Sequence, residues 1–399
     1  MSPIQTQNRR TALRLALVAL LGTLSAGASY LAPSDPPVPG VGEAGGPTTA
    51  LSPPDMAKWL AGRKVFDRDF VVPLGLGLPN YNANSCRACH SDPAMGGAGP
   101  LEVNVSRFGH DGAGTETFVN LPGGQAASKL RPPPDGTREN YPSGLPNPAD
   151  NADVFEQRQT PTLLGLGLVD TIADSTILAN EDPFDLDGDG IKGVARILMV
   201  NGNPEVGKFG WKAQIPRMSD FVRDAMGGEI GISVPDDGRG FAFTDSDAVP
   251  DPELSQLDTD RLSFFLANLG PPPGGDSQNP SAQAGKLVFQ SLKCAVCHRP
   301  SLNSSIPGVR VGLFSDLLLH DVQPPGFHGM EEPGAASGMY RTPLLWGINK
   351  TGPYMHDGRA ETLEQAILGH HNEAEFSSQG FVALTPGSKA DLLNYLASL

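Results

Sequence analysis

Two five-residue stretches restrict this chain more than anything else in it. They are Cys86-Arg87-Ala88-Cys89-His90 and Cys294-Ala295-Val296-Cys297-His298, and together they hold all four cysteines. The spacing C-x-x-C-H is the attachment signature of c-type haem. Two thiols two residues apart reach both vinyl groups of one porphyrin, and the adjacent histidine is carried beneath the iron as its proximal ligand. With 4 Cys and 8 His in 399 residues, chance placement yields about 0.0008 copies of the pattern per chain. A thioredoxin-like redox site calls for one C-x-x-C beside a βαβ pattern, which is missing. A Cys₄ zinc site gives no reason for a histidine after each pair. Two covalently bound haem c groups are therefore expected, with His90 and His298 as iron ligands.

The opening segment reads as an address. Arg9, Arg10 and Arg14 precede an apolar stretch from Leu15 to Leu24, and Ala26-Gly27-Ala28 offers a small-residue cleavage site, the pattern of a secretory signal peptide over residues 1–28. No later apolar run approaches membrane length, so no stable span is expected after processing. Haem attachment needs an accessible, unfolded C-x-x-C-H, which points to Sec-type export and to the bacterial periplasm. The chain carries a formal charge of −15, and removal of the three leader arginines deepens it to −18. Such a surface repels phosphate backbones, so nucleic-acid binding is disfavoured.

Helical periodicity dominates the remainder. Residues 29–50 read as a linker. A helix is expected from near Pro54, carrying Met56, Trp59, Leu60 and Val65 toward the first motif. Residues 100–160 are loop-like and include Pro132-Pro133-Pro134. Leu262, Phe265, Leu266 and Leu269 form a stripe that stops at Gly270 and three prolines, placing a boundary at 270–280. A second helix, capped by Ser281, runs through Leu287 and Phe289 into the second motif. A last one, capped by Ser388, is faced by Leu392, Leu393, Leu396 and Leu399. The best strand candidate is Arg196–Val200. The expected fold is mainly α: two cytochrome c-like haem domains, 51–270 with a long insertion and 271–399, with long ordered loops and little strand.

A sixth ligand closes a haem to substrate, whereas an open face permits chemistry. Thr362-Leu363-Glu364-Gln365 fits a capping box, so a helix is expected from about 363 to 371. Leu363, Ile367 and His370 then lie along one face, and His370 is read either as a core histidine or as an iron ligand. Asp185, Asp187 and Asp189 stand at positions 1, 3 and 5 of a calcium-type loop with Gly190 at position 6. Position 12 is Arg196 rather than Glu, so the choice lies between an incomplete calcium site and a turn with solvated carboxylates.

At this point the text resembles a known group. The stretch YRTPLLWGINKTGPYMHDGRAETLEQAILGHHNEAEF from Tyr340, ending in LLNYLASL, resembles the C-terminal domain of bacterial di-haem cytochrome c peroxidases and of the related enzymes that oxidise protein tryptophans to quinone cofactors. The closer similarity is to the di-haem oxidoreductase family, through RQTPTLLGLGLVDTIADSTILA, DPFDLDGDGIKG, KFGWKA and FSDLLLHD. It covers about residues 55–399. The resemblance implies a sixth ligand fourteen residues past the histidine of P-Y-x-H-D-G, here His370 counted from His356. Most of those peroxidases have methionine there, so this haem would be bis-histidine and of lower potential. His371 would be its neighbour. The His298 haem would transfer electrons and the His90 haem would meet substrate, with His110 as displaceable ligand or acid/base and Met95 as second candidate. His110 also reads as part of an ordinary surface turn. His356 and His320 would hold haem propionates. Trp211 would be either an electron relay between the haems or a core tryptophan. Relatives use calcium between their domains, with other ligands.

The resulting expectation is an exported di-haem oxidoreductase that reduces hydrogen peroxide with electrons from a small periplasmic donor, a cytochrome or cupredoxin with a basic patch. The alternatives are a non-catalytic di-haem electron-transfer cytochrome and an oxidase of a protein partner.

Overall fold

Each helix that runs up to a C-x-x-C-H motif starts at a proline, whose fixed φ and missing N–H suit the first helical position. Helix α1 (Pro53–Asp67) is capped by Ser52, whose side chain accepts from the Asp55 amide at 3.3 Å. The computed structural model describes residues 37–77, 81–112, 114–119, 152–244 and 249–399. Residues 1–28, expected to be a signal peptide, and the Pro132–Pro134 stretch lie outside them. After α1 come α2 (Leu166–Asp170), α3 (Asp174–Leu178), α4 (Met218–Ala225) and α5 (Gln256–Ala267). Helices α6 (Pro280–Ser291), α7 (Cys294–Cys297), α8 (Leu363–Leu368), α9 (Glu375–Ala383) and α10 (Pro386–Ala397) complete the order. Pro39–Leu399 forms one unit, and it is mainly α.

Strand is confined to antiparallel two-stranded pairs among the described residues. They are β1 (Val105–Gly109) with β2 (Val154–Arg158), β3 (Ile197–Val200) with β4 (Asn203–Val206), β5 (Leu302–Asn303) with β6 (Arg310–Val311), and β7 (Leu319–Asp321) with β8 (Met339–Arg341). The apolar run expected as a strand is β3.

Three helix ends differ from expectation. Asn279, not Ser281, caps α6: it accepts from the Ser281 amide at 2.9 Å, because Pro280 occupies the first helical position and moves the cap one residue ahead of it. Thr385 rather than Ser388 caps α10 for the same reason, with Pro386 next and the Ser388 amide donating to Thr385 Oγ1 at 3.1 Å. Helix α8 has the expected capping box at Thr362 and Gln365 but stops at Leu368, where Gly369 forms its C-cap. His370 therefore lies just beyond the helix.

Two apolar cores organise the described chain. The first gathers Trp59 and Phe66 of α1 around Phe265 of α5, with ring centroids 5.0 and 5.4 Å apart, and it also takes in Leu313, Leu317, Leu318 and Trp346 from the C-terminal half. The second packs Phe289 of α6 edge-on against Tyr395 of α10 at 5.4 Å, with Leu345, Phe381 and Leu392 around them. Both helix crossings need glycine. A Cβ on Gly62 would lie 2.0 Å from the Arg261 carbonyl oxygen, and one on Gly285 would lie 1.9 Å from that of Asp391. Gly285→Ala should force α6 and α10 apart and cost about 1–3 kcal/mol, the usual range for overpacking. Thermal unfolding of the matured protein measures it; an unchanged midpoint would refute the close crossing.

Candidate haem-binding and redox site

The first motif forms a tight turn: the His90 amide donates to the Cys86 carbonyl at 2.9 Å. His90 Nδ1 lies 3.2 Å from the Gly97 carbonyl, and the Pro161 carbonyl is the ring's other backbone neighbour. Burial pushes the His90 imidazole down to about 4 and the Cys86 thiol up to about 12. At neutral pH the ring is thus uncharged, as metal ligation requires. Phe66 lies 6.5 Å from it.

The second motif repeats this construction. The His298 amide donates to the Cys294 carbonyl at 2.9 Å, and Nδ1 meets the Phe314 carbonyl at 3.1 Å. Burial again holds His298 down at about 4 and raises the Cys294 thiol to about 12. Facing it is His370, whose Nδ1 is 2.7 Å from the Ala366 carbonyl and whose pKa is lowered by burial. The two ring centroids stand 6.5 Å apart at 61°. That separation admits one metal ion between two imidazole nitrogens at about 2 Å each. A largely apolar cavity of about 240 Å³ opens between them, lined among others by Cys294, Cys297, Ile367 and Leu392. His370 lines it and His371 does not. The residues at both motifs therefore fit haem c, and at the second they also fit a bis-histidine iron.

The sequence candidates separate into two groups. Trp211 and His356 line the same cavity as His298, joined through the main chain of one residue, Gln159. Trp211 Nε1 donates to the Gln159 carbonyl at 2.7 Å, and the Gln159 amide donates to the His356 carbonyl at 2.7 Å. His356 is buried and stacks on Tyr340 at 3.9 Å and 18°; its Nδ1 is buried with no hydrogen-bond partner among the described residues. His110 lies elsewhere, at the end of β1, where its ring sits between Asp153 at 3.1 Å and Glu116 at 3.5 Å. About a third of that side chain is exposed (36%). Met95 belongs to the turn that holds His90 through Nδ1, with the Gly96 amide on the His90 carbonyl at 3.0 Å.

His320 departs from the expected propionate contact. Its Nε2 meets Asp316 and its Nδ1 meets Glu373, each at 2.9 Å, so neither nitrogen is left for another anion. Burial opposes its charge, but Asp316, the Cys297 sulfur and Glu373 outweigh that and raise its pKa well above the usual value. The acidic loop is also arranged differently from the 1, 3, 5 pattern. The carboxylates within 4.8 Å of one another are those of Asp182, Asp185 and Asp187, while Asp189 turns toward Lys293 at 3.6 Å and the Ile191 amide at 3.0 Å.

Sequence reasoning missed two groups. The first is a buried ion network in which Glu332 takes Arg107 at 2.9 Å, Arg158 at 3.0 Å and Arg196 at 2.7 Å. Glu156 pairs with Arg158 and accepts the Tyr340 hydroxyl at 2.7 Å. Lys212, fully buried, donates to the carbonyls of Ala336, Ser337 and Met339 and lies 4.3 Å from the Tyr340 ring centre. The second group is Asp224 with Glu229, the latter on a π-helical turn, Met226–Ile230, of the kind found often at functional sites. Burial, then Glu229, raises Asp224 to about 6. Glu229 accepts from Asn82 at 2.6 Å, four residues ahead of Cys86. The one local signal was the Gly227-Gly228 pair that interrupts the helix.

Residues 139–399 match the family described as "di-haem oxidoreductase, putative peroxidase". The chain belongs to this family. The matched span contains the second C-x-x-C-H motif and begins after the first. The chain is also similar to solved structures at low identity. Hydrazine synthase from Kuenenia stuttgartiensis is 16% identical, over 92% of this chain and 99% of that one, with a TM-score of 0.41. A MauG-like protein associated with microbial copper homeostasis is 17% identical over 92% and 95%, at 0.39. The diheme peroxidase BthA from Burkholderia thailandensis is 15% identical over 91% and 90%, at 0.42. No protein of curated function matches the sequence. As a member of the family this di-haem oxidoreductase takes two haem groups. Among the described residues no helix is long and apolar enough to cross a membrane.

Proposed function

We propose that this di-haem oxidoreductase is an exported c-type enzyme that reduces hydrogen peroxide to water with electrons from a small periplasmic donor. The observation that carries the reading is the contrast between the two motifs. His298 has a second imidazole facing it at 6.5 Å, whereas among the described residues no second histidine ring pairs with His90, whose one ring neighbour is Phe66. A closed site suits electron entry, and an open one suits substrate. Haem iron, when bound, supplies peroxide binding and single-electron transfer. Cys86 with Cys89, and Cys294 with Cys297, carry the thioether links; His90 and His298 hold the two groups from the proximal side.

Reduction of one peroxide takes two electrons and two protons and gives two waters, so the chain has to deliver protons to the first site. Asp224, at about 6, is poised to hold a proton near neutral pH and release it. His110, exposed and flanked by Asp153 and Glu116, is the weaker donor. Trp211 and His356, on one side of the second site, are the relay and the propionate-binding group. A donor with a basic patch is steered toward a chain of net charge −15.

The deciding experiment mixes peroxide with the half-reduced, periplasmically matured protein. Reaction within milliseconds at a high-spin haem is the expected outcome. Two low-spin haems that ignore peroxide at every redox level would instead establish an electron carrier, and a colourless product would end the reading. Asp224→Asn should lower peroxide turnover about a hundredfold, within the range for loss of a general acid, whereas His110→Ala should stay within about twofold of wild type. The reverse order would return the role to His110.

A further inference from the structure

Arginine is heavily used as a partner in this acidic chain. Among the described residues, the side chains of Arg68, Arg87, Arg107, Arg158, Arg196, Arg217, Arg223, Arg239, Arg261 and Arg359 all pair with carboxylates. Arg341 donates to the Gly210 carbonyl at 3.2 Å, and Arg63 has a partner as well. Two arginines break this rule: Arg299 and Arg310 have no side-chain hydrogen bond or ion pair with any described residue, and Arg299 Nε is buried in that state. Both line the same pocket, of about 380 Å³.

The pocket is polar and no carboxylate lines it. Arg299 follows His298 directly, and its own amide is fixed on the Cys297 carbonyl at 2.9 Å. Arg310 stands on β6 opposite Asn303 of β5. Ser175 of α3 and Ser301 complete the wall. The hairpin is clamped to the helical side by Ser304 Oγ on Thr171 Oγ1 at 2.9 Å and by the Ile172–Ser304 bridge, so the strand pair that carries Arg310 is held in a fixed frame. Arg310 is exposed and Arg299 half-buried, so the cost falls on the buried Arg299 Nε, an N–H that loses a hydrogen bond where no acceptor meets it.

We propose that this pocket binds a small tetrahedral oxyanion of the phosphate class. Two guanidinium groups line the pocket together with the hydroxyls of Ser175 and Ser301 and the amide of Asn303, donors enough for an anion with several oxygens. A tetrahedral anion accepts from all of them, whereas a flat carboxylate saturates one fork. At about 30 Å³ per water, the volume leaves room for the anion and several waters. The pocket shares no lining residue with the cavity between His298 and His370, so it is a separate site, and its existence does not depend on the peroxide reading.

The test is calorimetric titration of the matured full-length protein with inorganic phosphate at constant ionic strength, chloride replacing it in the control. Saturable binding to one site is expected. Sulfate should compete and acetate should not. Arg310→Ala and Arg299→Gln should each weaken phosphate at least tenfold, as loss of a charged hydrogen bond does, and Arg310→Lys should fall between. Since Arg299 adjoins His298, the Soret spectrum and thermal midpoint identify variants that keep their haem; Arg310, remote from the motif in sequence, decides the matter alone if Arg299→Gln does not. Absence of saturable heat, unchanged affinity in Arg310→Ala, or acetate binding as tightly as phosphate would overturn the proposal. A response to phosphatidylglycerol vesicles with none to free phosphate would overturn it too.

Discussion

Replacing Glu332 with alanine is expected to lower the unfolding free energy by about 3–5 kcal/mol, the cost of breaking a buried ion pair and stranding its partner. Arg107, Arg158 and Arg196 all reach this one carboxylate, at 2.9, 3.0 and 2.7 Å. They come from β1, β2 and the residue ahead of β3, so the loss is felt at both strands of one pair and at the entry to another. Burial works against the Glu332 charge, yet the three arginines outweigh it and hold the carboxyl at about 2 against an ordinary value of 4.5. The linkage follows from that depression. The unfolded chain takes up the proton first as pH falls, so the contribution is whole above about pH 5 and is lost as pH drops through 2. A shift of this size corresponds to about 3 kcal/mol at neutral pH. Denaturant unfolding at pH 7 and pH 3 measures both effects. A variant within about 1 kcal/mol of wild type at pH 7, or one with unaltered acid sensitivity, would show that the network contributes shape and not stability.

His370→Ala should convert one of the two haems from low spin to high spin in the matured protein. The argument is geometric: His298 and His370 each donate from Nδ1 to a main-chain carbonyl, which leaves two Nε2 lone pairs on rings 6.5 Å apart. Removal of one ring opens a coordination position without touching the thioether links, so haem content should remain at two per chain. Added imidazole should restore the low-spin spectrum by filling the space, as the cavity already accommodates a ring of that size. His371→Ala should leave the spectrum as it is. Electron paramagnetic resonance and the Soret position read the change directly. An unaltered spectrum in His370→Ala would remove His370 from the iron, and the same change in His371→Ala would transfer the role to its neighbour.

The parts of this site that lie close together in sequence were open to reading from the chain alone. Both C-x-x-C-H motifs and the Thr362–Gln365 capping box depend on spacing within a turn, whereas the count from His356 to His370 came from the resemblance to the peroxidases. Helix ends were misread where proline intervenes: Ser281 and Ser388 are good caps in isolation, but Pro280 and Pro386 claim the first helical position and hand the cap to Asn279 and Thr385. Hidden altogether was chemistry assembled from distant segments. Nothing local marks Glu332 as the meeting point of Arg107, Arg158 and Arg196, or tells that His320 spends both nitrogens on Asp316 and Glu373. Asp224 owes its raised pKa to burial and to Glu229, and the partner of Glu229 is Asn82, from the far end of the first core. Arg299 and Arg310 are conspicuous only once every other arginine among the described residues has been paired off.

The link between Trp211 and His356 is made of main chain on the Gln159 side, carbonyl to one and amide to the other. It is therefore invisible to alanine scanning: the Gln159 side chain, which reaches the Gly99 carbonyl at 3.1 Å, can be trimmed away and both bonds survive. Proline alone at that position would sever the amide half. A survey of side chains would pass over Gln159, although its main chain ties the Trp211 indole to the backbone of His356.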